Sequence, residues 1–144
     1  MKRILFSVLA ILFFFTQCDT LKNIPTNTSG GLFSLNGNWQ LASSSDNGAL
    51  EGTIVTVTPG LSDASVRTLN NNNYCLRERD VVWRGLKSTQ AGVFSLESLV
   101  TACNNATLYK AGTLTVLTND EVRVTTRNAL GAEMLQTWKR VPNQ

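Results

Sequence analysis

Histidine is missing from all 144 residues of this chain. Its absence removes imidazole bases, the Ser-His-Asp arrangement and every His-ligated metal site at once. Charge is also sparse, at 16% of residues, with 13 Lys and Arg against 10 Asp and Glu. The basic residues are not massed on one segment, so the chain lacks the electrostatic footprint of a nucleic-acid binder. Glu97, Asp120, Glu121 and Glu133 lack the spacing of a catalytic carboxylate pair or a calcium loop. No catalytic residue, metal or other cofactor is therefore expected, and the chain is read as a non-enzyme.

Long apolar runs are missing too, with one exception. Lys2 and Arg3 precede an apolar stretch from Ile4 to Phe15, which ends at Thr16-Gln17-Cys18-Asp19. It is shorter than the roughly 20 residues a spanning helix needs, and its basic start suits an export signal. A cysteine directly after such a run resembles the lipobox of bacterial lipoproteins. The resemblance implies a signal peptide over 1–17, lipid attachment at Cys18 and a chain tethered in the cell envelope, with the outer membrane favoured. The competing reading is an ordinary signal peptide with an incidental cysteine.

Only three cysteines are present, and an odd count in an exported chain asks for an explanation. Lipidation of Cys18 leaves Cys75 and Cys103 to pair in an oxidising compartment. No Cys-x-x-Cys spacing points to redox activity, so a structural disulfide is expected.

Removing the signal takes Lys2 and Arg3 and leaves a net charge near +1 on 127 residues, a length for one domain. Residues 18–33 are rich in Asn, Thr, Ser and Gly without periodicity and read as a flexible tether. Residues 34–144 read as the domain. Within it, short alternating segments are parted by turn residues, the all-β pattern. Strands are expected over 38–44, 53–58, 64–69, 81–88, 92–100, 113–118, 121–127 and 133–141. Asn119-Asp120 between the alternating runs Thr113–Thr118 and Glu121–Arg127 is the strongest hairpin signal. Eight short strands point to a small antiparallel up-and-down barrel, because closure removes exposed edges.

The ends of the domain carry a second resemblance. Leu35-Asn36-Gly37-Asn38-Trp39 resembles the Gly-x-Trp opening of lipocalins and related calycins. Trp138-Lys139-Arg140 resembles their last strand, whose basic residue packs on the opening tryptophan. The resemblance implies a lipocalin-like barrel with Gly37, Trp39 and Arg140 as its end motif, and a small apolar or amphipathic ligand. Small META-type β domains open with a similar stretch and compete for the architecture.

Trp83 and Phe94 are candidates to line a ligand cavity or to fill a closed core, since eight strands make a barrel near the dividing size. Tyr74, Arg77, Arg79, Trp83, Arg84 and Lys87 could form a basic, aromatic face for an anion or saccharide, but Glu78 and Asp80 interleave as on a solvated strand. Two functions follow. One is a membrane-anchored barrel that binds a small ligand. The alternative is a filled barrel serving as a protein-interaction module, an envelope-assembly factor or hydrolase inhibitor. Cys18→Ser should move the protein from the membrane to the soluble fraction; continued membrane association would remove the lipoprotein reading.

Overall fold

In the computed structural model, residues 33–142 are described, apart from 59 and 61. The expected signal peptide 1–17, Cys18 and nearly all of the tether lie outside the described residues. Eight strands follow one another: β1 (Gly37–Ser44), β2 (Ile54–Val57), β3 (Ala64–Thr68), β4 (Val81–Gln90), β5 (Val93–Thr101), β6 (Leu108–Thr118), β7 (Glu121–Arg127) and β8 (Glu133–Val141). Each pairs antiparallel with the next, and β8 pairs with β1 to close the barrel. This is the all-β up-and-down barrel expected from the alternation. The described helical content is one 3-10 turn, Cys103–Asn105.

The alternation places one set of side chains inside. Trp39 and Leu41 of β1, Val55 of β2, Ala64 of β3, Trp83 of β4, Leu114 of β6, Val122 and Val124 of β7, and Met134 and Trp138 of β8 are all buried. Thr and charged residues fill the alternate positions, as in Glu121–Arg127, where Val122, Val124 and Thr126 are buried between more exposed neighbours.

Two strands differ from the sequence-based bounds. β6 begins at Leu108, five residues before the expected start at Thr113, because Tyr109, Lys110 and Ala111 pair with Leu99, Ser98 and Glu97. Gly112 hid this continuity. A Cβ there would stand 2.8 Å from the Thr125 carbonyl oxygen, so glycine is needed for close approach of β6 to β7. β4 runs on to Gln90, leaving Ala91 and Gly92 as the turn rather than Thr89-Gln90-Ala91. Gly92, at φ 71°, supplies the left-handed backbone that a tight hairpin requires.

The barrel has two unlike ends. At the tryptophan end, where β1 starts, the connections β4–β5 and β6–β7 are two-residue turns. At the opposite, loop end lie the segments 45–53, 69–80, 102–107 and 128–132. Cys75 and Cys103 form a disulfide there, joining the second of these loops to the third across 28 positions. Closing a loop of that length restricts the unfolded chain and stabilises the fold by about 3–4 kcal/mol. The double variant Cys75→Ala/Cys103→Ala should lose about that much in urea unfolding; a midpoint unchanged from the parent would show the cross-link to be energetically idle.

Candidate functional site

At the tryptophan end, β1 and β8 bring Trp39 directly opposite Arg140. Trp39 is wholly buried, and its indole N–H donates to the Leu35 carbonyl at 2.7 Å. The Arg140 guanidinium lies over the indole ring, 4.3 Å from its centroid. It also donates to the carbonyls of Ser34 at 2.5 Å, Asn36 at 2.7 Å and Asn119 at 3.1 Å, and sits 3.4 Å from an Asp120 carboxylate oxygen. Burial draws the pKa of Arg140 down while Asp120 opposes the shift. Gly37 permits the approach. Its φ is +116° and a Cβ would lie 3.2 Å from Arg140 Nη1. One planar fork thus ties the entering segment, the β6–β7 turn and the last strand onto one indole.

The loop end is closed by different means. Ala49 and Leu50 of the first loop, and Tyr74 and Leu76 of the second, are buried. The Tyr74 hydroxyl donates to Asp46 at 2.6 Å and reaches the sulfur of Met134, an interior residue, at 3.2 Å. Burial, then the bond to Asp46, pushes the Tyr74 phenol well above its ordinary pKa, so it stays a donor. Leu50 N–H donates to Asn71 C=O at 2.9 Å and Ala102 N–H to Tyr74 C=O at 2.8 Å. The loops are therefore stitched to one another across the mouth. All six non-glycine residues with left-handed backbone among the described residues lie in these loops: Asn47, Leu50, Asn71, Cys75, Arg79 and Asn104. Such conformations persist only where surrounding contacts hold them.

Between the ends, the interior is dense. Trp83 and Trp138 pack edge to face, centroids 4.9 Å apart. Trp39, Trp83, Trp138, Val55, Leu114, Val122, Val124 and Met134 are each at 0% exposure. A side chain lining a void of water size or larger retains accessible surface, so these leave no such space around them. Among the described residues, two buried side-chain polar atoms lack a partner, the Trp83 indole nitrogen and the Ser98 hydroxyl, on residues opposite each other in β4 and β5. Phe94 is half-buried near the tryptophan end, its ring 6.5 Å from that of Phe33.

The candidate residues thus divide. Gly37, Trp39 and Arg140 come together at one end, the disulfide sits at the other, and Trp83 lies deep between while Phe94 is nearer the edge. The basic, aromatic face weighed over 74–87 does not assemble, in keeping with the solvated reading preferred for its alternating charges. Tyr74 and Trp83 turn inward, and Arg84 is held by Glu97 at 2.7 Å while stacking on Tyr109, 3.9 Å from its ring centre. No three His, Cys, Asp or Glu among the described residues are grouped to hold a metal ion. The loop-end plug escaped the sequence reading. Its signal was there, in an apolar Ala49-Leu50 pair within a Gly-bounded turn and in Tyr74 beside a cross-linking cysteine. Compared with protein-family models, with curated proteins and with solved structures, the chain matches none.

Trp39→Ala should cost about 3–5 kcal/mol, as for a buried large aromatic. Arg140→Lys should cost about 1–3 kcal/mol, since an ammonium cannot serve the same carbonyls as a planar fork. Thermal unfolding checks both, and a lysine variant as stable as the parent would contradict the role given to the fork.

Proposed function

We propose that this chain is a bacterial envelope lipoprotein, anchored through Cys18 and placed in the outer membrane, whose barrel is a filled, non-catalytic scaffold that acts by binding another protein. The observation that carries the second half is the packing: fully buried side chains through the interior, with Trp39 and Arg140 closing one end and Tyr74 and Leu50 the other. A site for small molecules usually offers a concave space of several hundred Å³. The anchor is supported by the basic start, the apolar run and the cysteine that follows it. Residues 1–17 then act as signal and 18–33 as tether to the barrel.

A second reading, a lipocalin-like barrel that binds a small apolar or amphipathic molecule, is favoured by one observation. Trp83 and Ser98 leave a donor and a hydroxyl unpartnered in the interior, and such groups cost about 1–3 kcal/mol each unless something meets them. A ligand bearing one acceptor would do so if the packing around Trp83 opened to admit it.

Native mass spectrometry of residues 19–144 after exposure to a total lipid extract separates the readings. A filled scaffold gives the bare protein mass; a retained, stoichiometric small molecule overturns it and identifies the ligand. Ser98→Ala gives an independent check. Deleting an unpartnered hydroxyl should leave stability the same or raise it, whereas a loss above about 1 kcal/mol would show that the hydroxyl has a partner in solution.

A further inference from the structure

We infer that the seam between β3 and β4 is a gate in the barrel wall, whose local opening brings the unpartnered Trp83 indole N–H and Ser98 hydroxyl into contact with water. The inference goes beyond the filled-scaffold reading and does not rest on it, since a filled interior and a gated wall are compatible.

Both ends of the barrel are sealed, so the interior is reached through the wall, and the wall is not uniform. Among the described residues, β3 and β4 stand in register at two positions, Ala64 opposite Trp83 and Ser65 opposite Val81, with an irregularity between them. Every other seam has at least four such positions. Single bonds extend the seam at its margins. Val66 N–H donates to Asp80 C=O at 2.8 Å, Arg79 N–H to Val66 C=O at 2.9 Å, and Leu86 N–H to Ser62 C=O at 2.7 Å. At Gly85 a side chain replaces the backbone acceptor, and the N–H donates to the Asp63 carboxylate at 3.1 Å in a bond exposed to solvent. β3 is also irregular toward β2, between Ile54 and Val55, and β4 toward β5, between Arg84 and Lys87. Such bulges leave ladder groups unpaired and bend the strand. The loop 69–80 joins the two strands, so no tight hairpin turn pins their register.

What lies behind the seam favours its opening. Trp83 and its β5 neighbour Ser98 are fully buried, and their polar atoms are the two without a partner among the described residues. The other two indoles are bonded, Trp39 to Leu35 C=O at 2.7 Å and Trp138 to the Gln136 side-chain oxygen at 3.3 Å. A buried donor without an acceptor raises the closed state relative to any state in which water meets it. That cost falls at the seam with the fewest bonds to resist it. β3 sets only the methyl of Ala64 opposite Trp83, so little side-chain interlock crosses there. Loops open before the ladder; within the ladder, this seam parts first.

Hydrogen exchange, followed by NMR on the full-length chain in neutral detergent, tests the gate. The protection factor of the Trp83 indole proton should lie at least 10-fold below those of Trp39 and Trp138, about 1.4 kcal/mol in opening free energy. It should match the amides of Val66 and Leu86, which bridge the seam. Asp63→Ala, which removes the Gly85 acceptor, should speed exchange at Trp83, Val66 and Leu86 together and leave Trp39 unchanged. A disulfide between Ser65→Cys and Val81→Cys, opposite each other across the seam, should slow the same three at least 10-fold. An unbonded indole exchanging without a gate would respond to neither change. Trp83 protected as well as Trp138, equal exchange at all three indoles, or a Trp83 rate that ignores Asp63→Ala and the cross-link would each overturn the gate. If the cysteine variant does not fold, Asp63→Ala decides alone. A small molecule retained in native mass spectrometry would end the filled scaffold and leave this result standing.

Discussion

The pairing of β8 with β1 is the constraint from which the rest of the structure follows. It closes the sheet, and its register sets Trp39 opposite Arg140 and Leu41 opposite Trp138. The first pair seals an end; the second carries Trp138 inward to Trp83. A closed sheet of eight strands encloses a space that side chains can just fill, and three tryptophans fill much of it here. Burial of each indole contributes some kcal/mol through lost apolar contact with water, so closure and filling stabilise one another.

Both ends are sealed, but by different chemistry. The tryptophan end uses a delocalised cation with several fixed donors, which can satisfy carbonyls from separate segments while covering an aromatic face. The loop end uses apolar side chains beneath a network of backbone bonds, a phenol on a carboxylate and a covalent cross-link. That second closure concentrates strained backbone in the loops and leaves the barrel wall regular. Local opening, where it happens, is then expected among the loops before the β-ladder.

Much of the architecture was legible in the sequence. The period-two alternation from Thr113 to Arg127 and the Asn119-Asp120 turn gave strands and a hairpin where they occur, and Gly37, Trp39 and Arg140 marked the end at which they meet. The pairing of Cys75 with Cys103 followed from counting thiols. What the alternation could not convey was contact between distant loops. The buried Leu50 is tied to Asn71 by a backbone hydrogen bond, and the buried Tyr74 to Asp46 and Met134 through its hydroxyl, which no local pattern encodes. The early start of β6 was concealed because Gly112, demanded by the nearness of Thr125, reads locally as a break.

If the interior is filled, small apolar gases should find no room in it. Xenon binds dry apolar cavities in proteins, so the most direct measurement is a xenon-pressure titration followed by the methyl resonances of Leu41, Val55, Leu114, Val122 and Met134. A filled barrel predicts small, linear, non-saturating shifts at all five. Saturable shifts clustered on these methyls would reveal a cavity, contradict the filled scaffold, and return the barrel to the class of small-ligand binders.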